Sequence, residues 1–131
     1  YISLRGQREL AERYIQLLGI KTADAETPIG RLSGGNQQKA VLARWLATEP
    51  RVLILDEPTR GIDVAAKQDL MNEVLRLARS GLSVLFISSE LDEVLRLADR
   101  VLVMRNRRAV GELPGGTDEA TLMTMITEVA A

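Results

Sequence analysis

The amino-acid sequence predicts an α/β protein in which a parallel sheet with flanking helices follows a helical portion. Three short apolar runs, "RVLIL" at 51–55, "LSVLFIS" at 82–88 and "RVLVM" at 100–104, alternate with stretches of helical spacing. Uninterrupted apolar runs of this length suit strands buried on both faces of a parallel sheet, and a helix between two such strands makes a βαβ crossover. The first fifty residues contain no such run, and their apolar residues recur at three- and four-residue intervals. A division follows into a helical part at 1–48 and an α/β part at 49–131.

Each element has its own signal. Residues 7–18, "QRELAERYIQLL", place Leu10, Tyr14, Leu17 and Leu18 at helical spacing, with Gly19 as the stop. A second helix over 36–48 is ended by Pro50, and Trp45 and Val41 on it are expected in the core. Helices over 64–79, with Leu70, Val74, Leu75 and Leu77, and 90–98, with Leu91, Val94, Leu95 and Ala98, join the three strands. A short strand near 108–113 and a helix over 118–129 capped by Thr117 complete the chain, with Met123, Met125 and Ile126 as packing residues. Arg105, Arg107 and Arg108 read as a solvated cluster at a strand turn.

Composition removes several chemistries. The 131 residues are 46% hydrophobic and 27% charged, as in a globular domain large enough to bury a core. With 17 basic and 18 acidic residues the net charge is −1, so there is no basic excess to hold a phosphodiester backbone, and no nucleic-acid partner is expected. The chain has no cysteine and no histidine. Disulfides, Cys/His zinc sites and histidine acid–base catalysis are therefore excluded within it, and any catalysis must use carboxylates. No apolar run reaches the roughly 18 residues that span a bilayer, and no leader precedes Tyr1. The expectation is a soluble intracellular segment, and a start at Tyr1 rather than Met suggests a piece of a longer chain.

Two stretches carry chemistry. In "RLSGGNQQKAVLARWLA" at 31–47, a serine and two glycines stand immediately before a helix. Each glycine carries roughly 0.5–1 kcal/mol of extra conformational entropy relative to alanine, so the pair needs a turn to make or a ligand to admit. Ser33 can cap the helix, Gly34 and Gly35 let backbone amides approach a ligand, and a helix N-terminus favours negative charge. An ordinary Ser-Gly-Gly turn explains the same residues. In "LDEPTRGID" at 55–63, Asp56 and Glu57 follow an apolar strand directly. In parallel sheets ligands bind at the carboxyl ends of strands. There one carboxylate suits a hydrated Mg²⁺ and its neighbour can orient or deprotonate water. A polar turn bent by Pro58 and Gly61 is the alternative.

Together and in this order, these residues resemble the ATP-binding cassette (ABC) family, over essentially the whole chain. "LSGGNQQK" resembles its signature motif, "VLILDE" its Walker B strand with the catalytic glutamate, "RGID" its D-loop, "ISSEL" its switch loop and "LADRVLVM" the strand after it. The fold so implied is part of a P-loop NTPase core plus part of the helical signature subdomain. The variant "GNQQK" is similar to the second cassette of the double-cassette ATPases that serve bacterial monosaccharide importers of ribose, galactose or xylose type. The resemblance implies ATP and Mg²⁺ as cofactors. It implies nucleotide contacts at Ser33, Gly34, Gly35, Gln37, Asp63 and Ser89, magnesium at Asp56 and catalysis by Glu57. The partners it implies are a second cassette in the same parent chain, a membrane permease and, indirectly, a periplasmic sugar-binding protein. The place is the inner face of the bacterial plasma membrane, peripheral and cytoplasmic.

Two departures qualify the resemblance. No G-x-x-x-x-G-K-S/T phosphate loop occurs. The nearest string, "GELPGGT" at 111–117, lacks the lysine and places Glu112 where phosphate would be repelled. Hydrolysis by this chain alone is therefore not expected, and missing neighbours for its strands imply self-association. Second, Ser89 stands where the family has a histidine on the γ-phosphate, and serine cannot carry positive charge. Ser89 and Asp92 read instead as a capping box for the helix near Glu90. Three functions follow: the ATPase of a sugar importer, a soluble ABC protein of DNA repair or translation, or a regulatory cassette half without a productive site.

Overall fold

The computed structural model describes residues 3–127. Contacts divide the chain into two compact units, Tyr1–Leu85 and Phe86–Ala131, a division that falls inside the second strand.

The first unit opens with α1 (Leu4–Leu17), which begins earlier than its apolar spacing indicates because Ser3 caps it, its hydroxyl accepting the Gly6 N–H at 2.9 Å. Tyr14 and Leu18 face inward, while Leu10 and Leu17 stay largely exposed. The Tyr14 hydroxyl donates to the Leu46 carbonyl at 2.8 Å and so ties α1 to the end of α2 (Gly34–Leu46). Helix α2 turns Gly35, Lys39, Leu42 and Leu46 inward. That spacing places Val41 and Trp45 on the outer side, and Trp45 is 53% exposed with the Arg44 guanidinium over its ring. The expectation of a core Trp45 is thereby corrected.

Strand β1 (Val52–Asp56), α3 (Val64–Arg79) and β2 (Ser83–Ile87) form the expected βαβ unit, with β1 and β2 paired in a parallel sheet. Leu53 joins Tyr14, Leu18, Ile20, Leu42, Leu46, Leu70 and Leu77 in one core cluster. The strands were expected to be covered on both faces. Instead Val52 and Ile54 are 60% and 63% exposed, because the helices pack only against the Leu53 face.

The second unit contains α4 (Leu91–Leu97), β3 (Arg100–Arg105), β4 (Arg108–Pro114) and α5 (Glu119–Thr127). Among the described residues, strand β3 shares a sheet with β4. It pairs antiparallel with β4, Val101 opposite Leu113 and Val103 opposite Gly111, with a bulge after Val103. The reason is the connection: Asn106 and Arg107, with φ of 50° and 65°, form a two-residue turn too short for anything but a hairpin. Arg107 and Arg108 at its tip are exposed, as expected.

Leu122 of α5 packs with Val101 and Val103, and Met125 and Ile126 flank them, whereas Met123 is 42% exposed. Thr117 does not cap this helix; its hydroxyl donates to the Pro114 carbonyl. Asp118 caps it instead, accepting the Thr121 N–H at 2.8 Å. That bond, followed by the Thr121 hydroxyl, holds the Asp118 carboxyl below its ordinary range, so the cap is charged at neutral pH. Residues 128 and 129, expected to continue the helix, lie outside the described residues.

Candidate functional site

The start of α2 is built by three side chains. Ser33 occupies the N-cap position with extended backbone, yet its hydroxyl takes no backbone N–H. Instead the Asn36 side-chain amide donates to Ser33 Oγ at 2.9 Å, and Asn36 Oδ1 accepts the Lys21 N–H at 2.9 Å. The second bond fixes the first: a backbone N–H can meet only the amide oxygen, so the amide nitrogen must face Ser33. With a lone pair so engaged, the exposed Ser33 hydroxyl keeps its proton to donate outward. Gln37 turns back, its amide donating to the Leu32 carbonyl at 2.9 Å, and braces the turn rather than pointing away from it. Sequence reasoning missed Asn36; its place three residues after the serine was the available signal.

The two glycines have a packing reason. A Cβ on Gly34 would come within 3.3 Å of Ile62 Cγ2. One on Gly35 would overlap the Ala66 methyl outright. The expectation that these glycines are there to admit a ligand is therefore incomplete. They let the first turn of α2 lie against the loop and first turn that follow β1, while Gly34 itself remains exposed.

That loop begins at the two carboxylates. Asp56 ends β1 and is exposed, and Glu57, half-buried, has φ of 47°, a left-handed conformation that costs an L-residue roughly 1–2 kcal/mol. The strain turns the chain sharply at the strand end, where the Arg60 N–H donates to the Glu57 carbonyl at 3.2 Å and the Ile62 N–H to that of Thr59 at 3.4 Å. Gly61, at φ 78°, completes the reversal. Asp63 then caps α3, accepting the Ala66 N–H at 2.9 Å. The structure therefore brings Ser33, Gly34 and Gly35 together with the segment from Gly61 to Ala66. Glu57→Gly and Glu57→Ala delete the same carboxylate but differ in backbone freedom. We expect the glycine variant to be the more stable of the two by about 1 kcal/mol in urea denaturation; equal stability would mean the left-handed turn is unstrained.

Among the described residues no three His, Cys, Asp or Glu side chains converge on a point. What the strand end offers is one exposed carboxylate, Asp56, a donor set that suits a cation bringing its own waters and phosphate oxygens. An apolar groove of about 330 Å³ between α1, α2 and the 20–32 segment, lined by Leu10, Tyr14, Ile20 and Leu32, carries no such chemistry.

Ser89 belongs to the second unit. The N-cap of α4 is Glu90, so the Ser89–Asp92 capping box expected from the sequence is not formed. Ser88 instead makes a local turn: its hydroxyl accepts the Glu90 N–H at 3.0 Å and donates to Glu93, which is fully buried, at 2.7 Å. The reason the box does not form is one residue of register, since α4 starts at Leu91 with Glu90, not Ser89, in the N-cap position.

Residues 5–60 match the family model described as ABC transporter. The chain is 55% identical over 113 residues to a galactofuranose transporter ATP-binding protein of Escherichia coli K12, covering 86% of this chain and 23% of that protein. It is also 55% identical over 109 residues to an arabinose import ATP-binding protein of Azospirillum brasilense, covering 83% and 21%. Among solved structures, a nucleotide-free ATP-binding cassette from an ABC transporter superposes with a TM-score of 0.78 at 28% identity, over 92% of this chain and 46% of that one. A dimeric post-hydrolysis cassette bound to ADP and Pi shares the fold with a TM-score of 0.74 at 23% identity, over 87% and 49%. The chain thus spans about a quarter of the curated relatives and about half of the solved cassettes.

Proposed function

We infer that this chain belongs to the ABC transporter ATP-binding family and contributes to two ATP sites in a sugar importer, its signature turn to the site of a partner cassette and its Walker B carboxylates to its own. The observation that carries this reading is the seating of the Ser33–Gly35 turn on the segment from Gly61 to Ala66, with the carboxylates of Asp56 and Glu57 at the base of the same loop. The relatives named for sugar import favour an importer over a soluble repair or translation protein or a regulatory half-cassette.

Bound Mg²⁺ and ATP would supply a charge-neutralised, transferable γ-phosphoryl group. Asp56 is placed to hold the cation, and Glu57 to orient water or take its proton. The Ser33 hydroxyl and the N–H groups of the first α2 turn are donors for an anion, and Gly34 leaves room for its approach. Gln37 braces the turn, Asp63 fixes the start of α3 facing a second cassette, and Ser89 stands where a cationic contact would otherwise be. The phosphate loop must come from another segment, so the working unit is a pair of cassettes joined in one parent chain. That pair would sit on a membrane permease fed by a periplasmic sugar-binding protein, at the cytoplasmic face. No described helix is long and apolar enough to cross a membrane, which accords with a peripheral place. We assign 1–48 to the helical subdomain and 49–131 to the ATPase core.

The test replaces the matched segment of the galactofuranose relative with this chain and measures ATP hydrolysis. Retention within about tenfold, under 1.4 kcal/mol of barrier, supports the reading; loss of hydrolysis in a folded chimera contradicts it. In the isolated chain the bare Val52 and Ile54 face, with the open edge of a two-stranded sheet, is matched to a second copy of itself. Light scattering should show association that grows with concentration, and Ile54→Lys should reduce it; a monodisperse monomer at high concentration would rule this out.

A further inference from the structure

We propose that Lys39 is a positioning residue, a buried ammonium that locks the Ser33–Gly35 turn and the Asp63-capped start of α3 into one rigid unit. The proposal rests on the reading of these two turns as parts of a nucleotide site.

Lys39 lies in the same inward-facing row of α2 as Gly35 and Leu42, and its side chain is only 9% exposed. A lysine so deeply buried needs a partner. Its Nζ stands 3.7 Å from Asp69 Oδ2 of α3. Gly35 meets Ala66 and Lys39 meets Asp69, so both residue numbers rise together along the contact. The two helices therefore run side by side with their N-termini at the same end. At that end Gly34 abuts Ile62.

Three contacts run along the helices away from the turns: a close approach of Gly34 to Ile62, a closer one of Gly35 to the Ala66 methyl, and the ion pair at Lys39. The ion pair adds a charged contact to the apolar packing of Leu42 and Leu46 with Leu70 and Leu77 in the shared core. The long Lys39 stem also fills the gap between the helices. Phosphate binding at Ser33 would on this account stiffen the loop around Asp63, and a partner pressing on Asp63 would move the signature turn.

Hydrogen exchange of the 131-residue chain tests this without nucleotide, so its failure is separable from failure of the functional reading. Three amides report on the two turns: Gln37, whose N–H is bonded to the Ser33 carbonyl, Ala66, bonded to Asp63 Oδ1, and Lys67, bonded to the Asp63 carbonyl. In Lys39→Met all three should exchange faster by a common factor of about ten, while core amides of α1 keep their rates. Asp69→Asn, changed at a side chain 61% exposed and so safe for folding, should reproduce the effect. Lys39→Arg should restore slow exchange. Acceleration of Gln37 alone would show that Lys39 serves only its own helix, and unchanged exchange at Ala66 and Lys67 in both variants would overturn the proposal.

Discussion

Gly35→Ala is expected to destabilise this chain by about 1–3 kcal/mol, the usual penalty for forcing volume into a filled contact. The added methyl would overlap the methyl of Ala66, and both belong to the first turns of rigid helices, so neither can swing aside as a long side chain would. Alanine should by itself favour α2 by up to about 1 kcal/mol, so any net loss understates the clash. Gly30→Ala serves as control, because nothing lies within 4 Å of the added atom. Adding Ala66→Gly to Gly35→Ala removes the second methyl and should recover most of the stability in urea denaturation. An undisturbed Gly35→Ala variant would mean that α2 and α3 are farther apart than described.

In the chimera with the galactofuranose relative, Ser33→Arg should lower hydrolysis by roughly 10²–10³, the effect of losing about 2.7–4 kcal/mol of transition-state stabilisation. The substitution removes the hydroxyl donor that Asn36 orients and places a bulky cation where the phosphate would lie. Glu57→Gln should lower the rate by less than about tenfold, or under 1.4 kcal/mol. On the family resemblance, Ser89 stands where a histidine is usual, so the site served by Glu57 is expected to carry little of the turnover. Steady-state rates with a folding control for each variant distinguish the two. Equal and severe losses would mean that both sites turn over and that Ser89 does not mark a weak one.

The elements of this chain were legible where packing and local pattern agree. Helix α3 was anticipated over 64–79 and is found at Val64–Arg79, since its inward residues repeat at helical spacing and Asp63 is a strong cap. The hairpin of β3 and β4 was not anticipated as a pairing, because its turn uses Asn106 followed by an arginine rather than glycine and gives no strong hairpin signal. Trp45 misled because hydrophobicity alone does not tell which side of a helix faces the core; the phase set by Gly35, Lys39, Leu42 and Leu46 does. At the site, Ser33, Gly34, Gly35, Asp56 and Glu57 could be picked out as chemical types, and Asp63 only through the family resemblance. What could not be read was that Glu90 is the N-cap of α4, that Asn36 holds Ser33, or that Gly35 lies against Ala66. Those depend on contacts between residues distant in sequence, as Gly35 and Ala66 are, or on a register of one residue, as Ser89 and Glu90 are.

The claim that this chain completes a nucleotide site rather than forming one is tested most directly by calorimetric titration of the isolated chain with ATP and Mg²⁺. The account predicts at most millimolar affinity, about −4 kcal/mol or weaker, because Ser33 and the first α2 amides offer phosphate a few donors without a lysine-bearing loop beneath it. Saturable binding in the micromolar range, near −8 kcal/mol, would show that the chain holds its own phosphate cradle and would contradict the account.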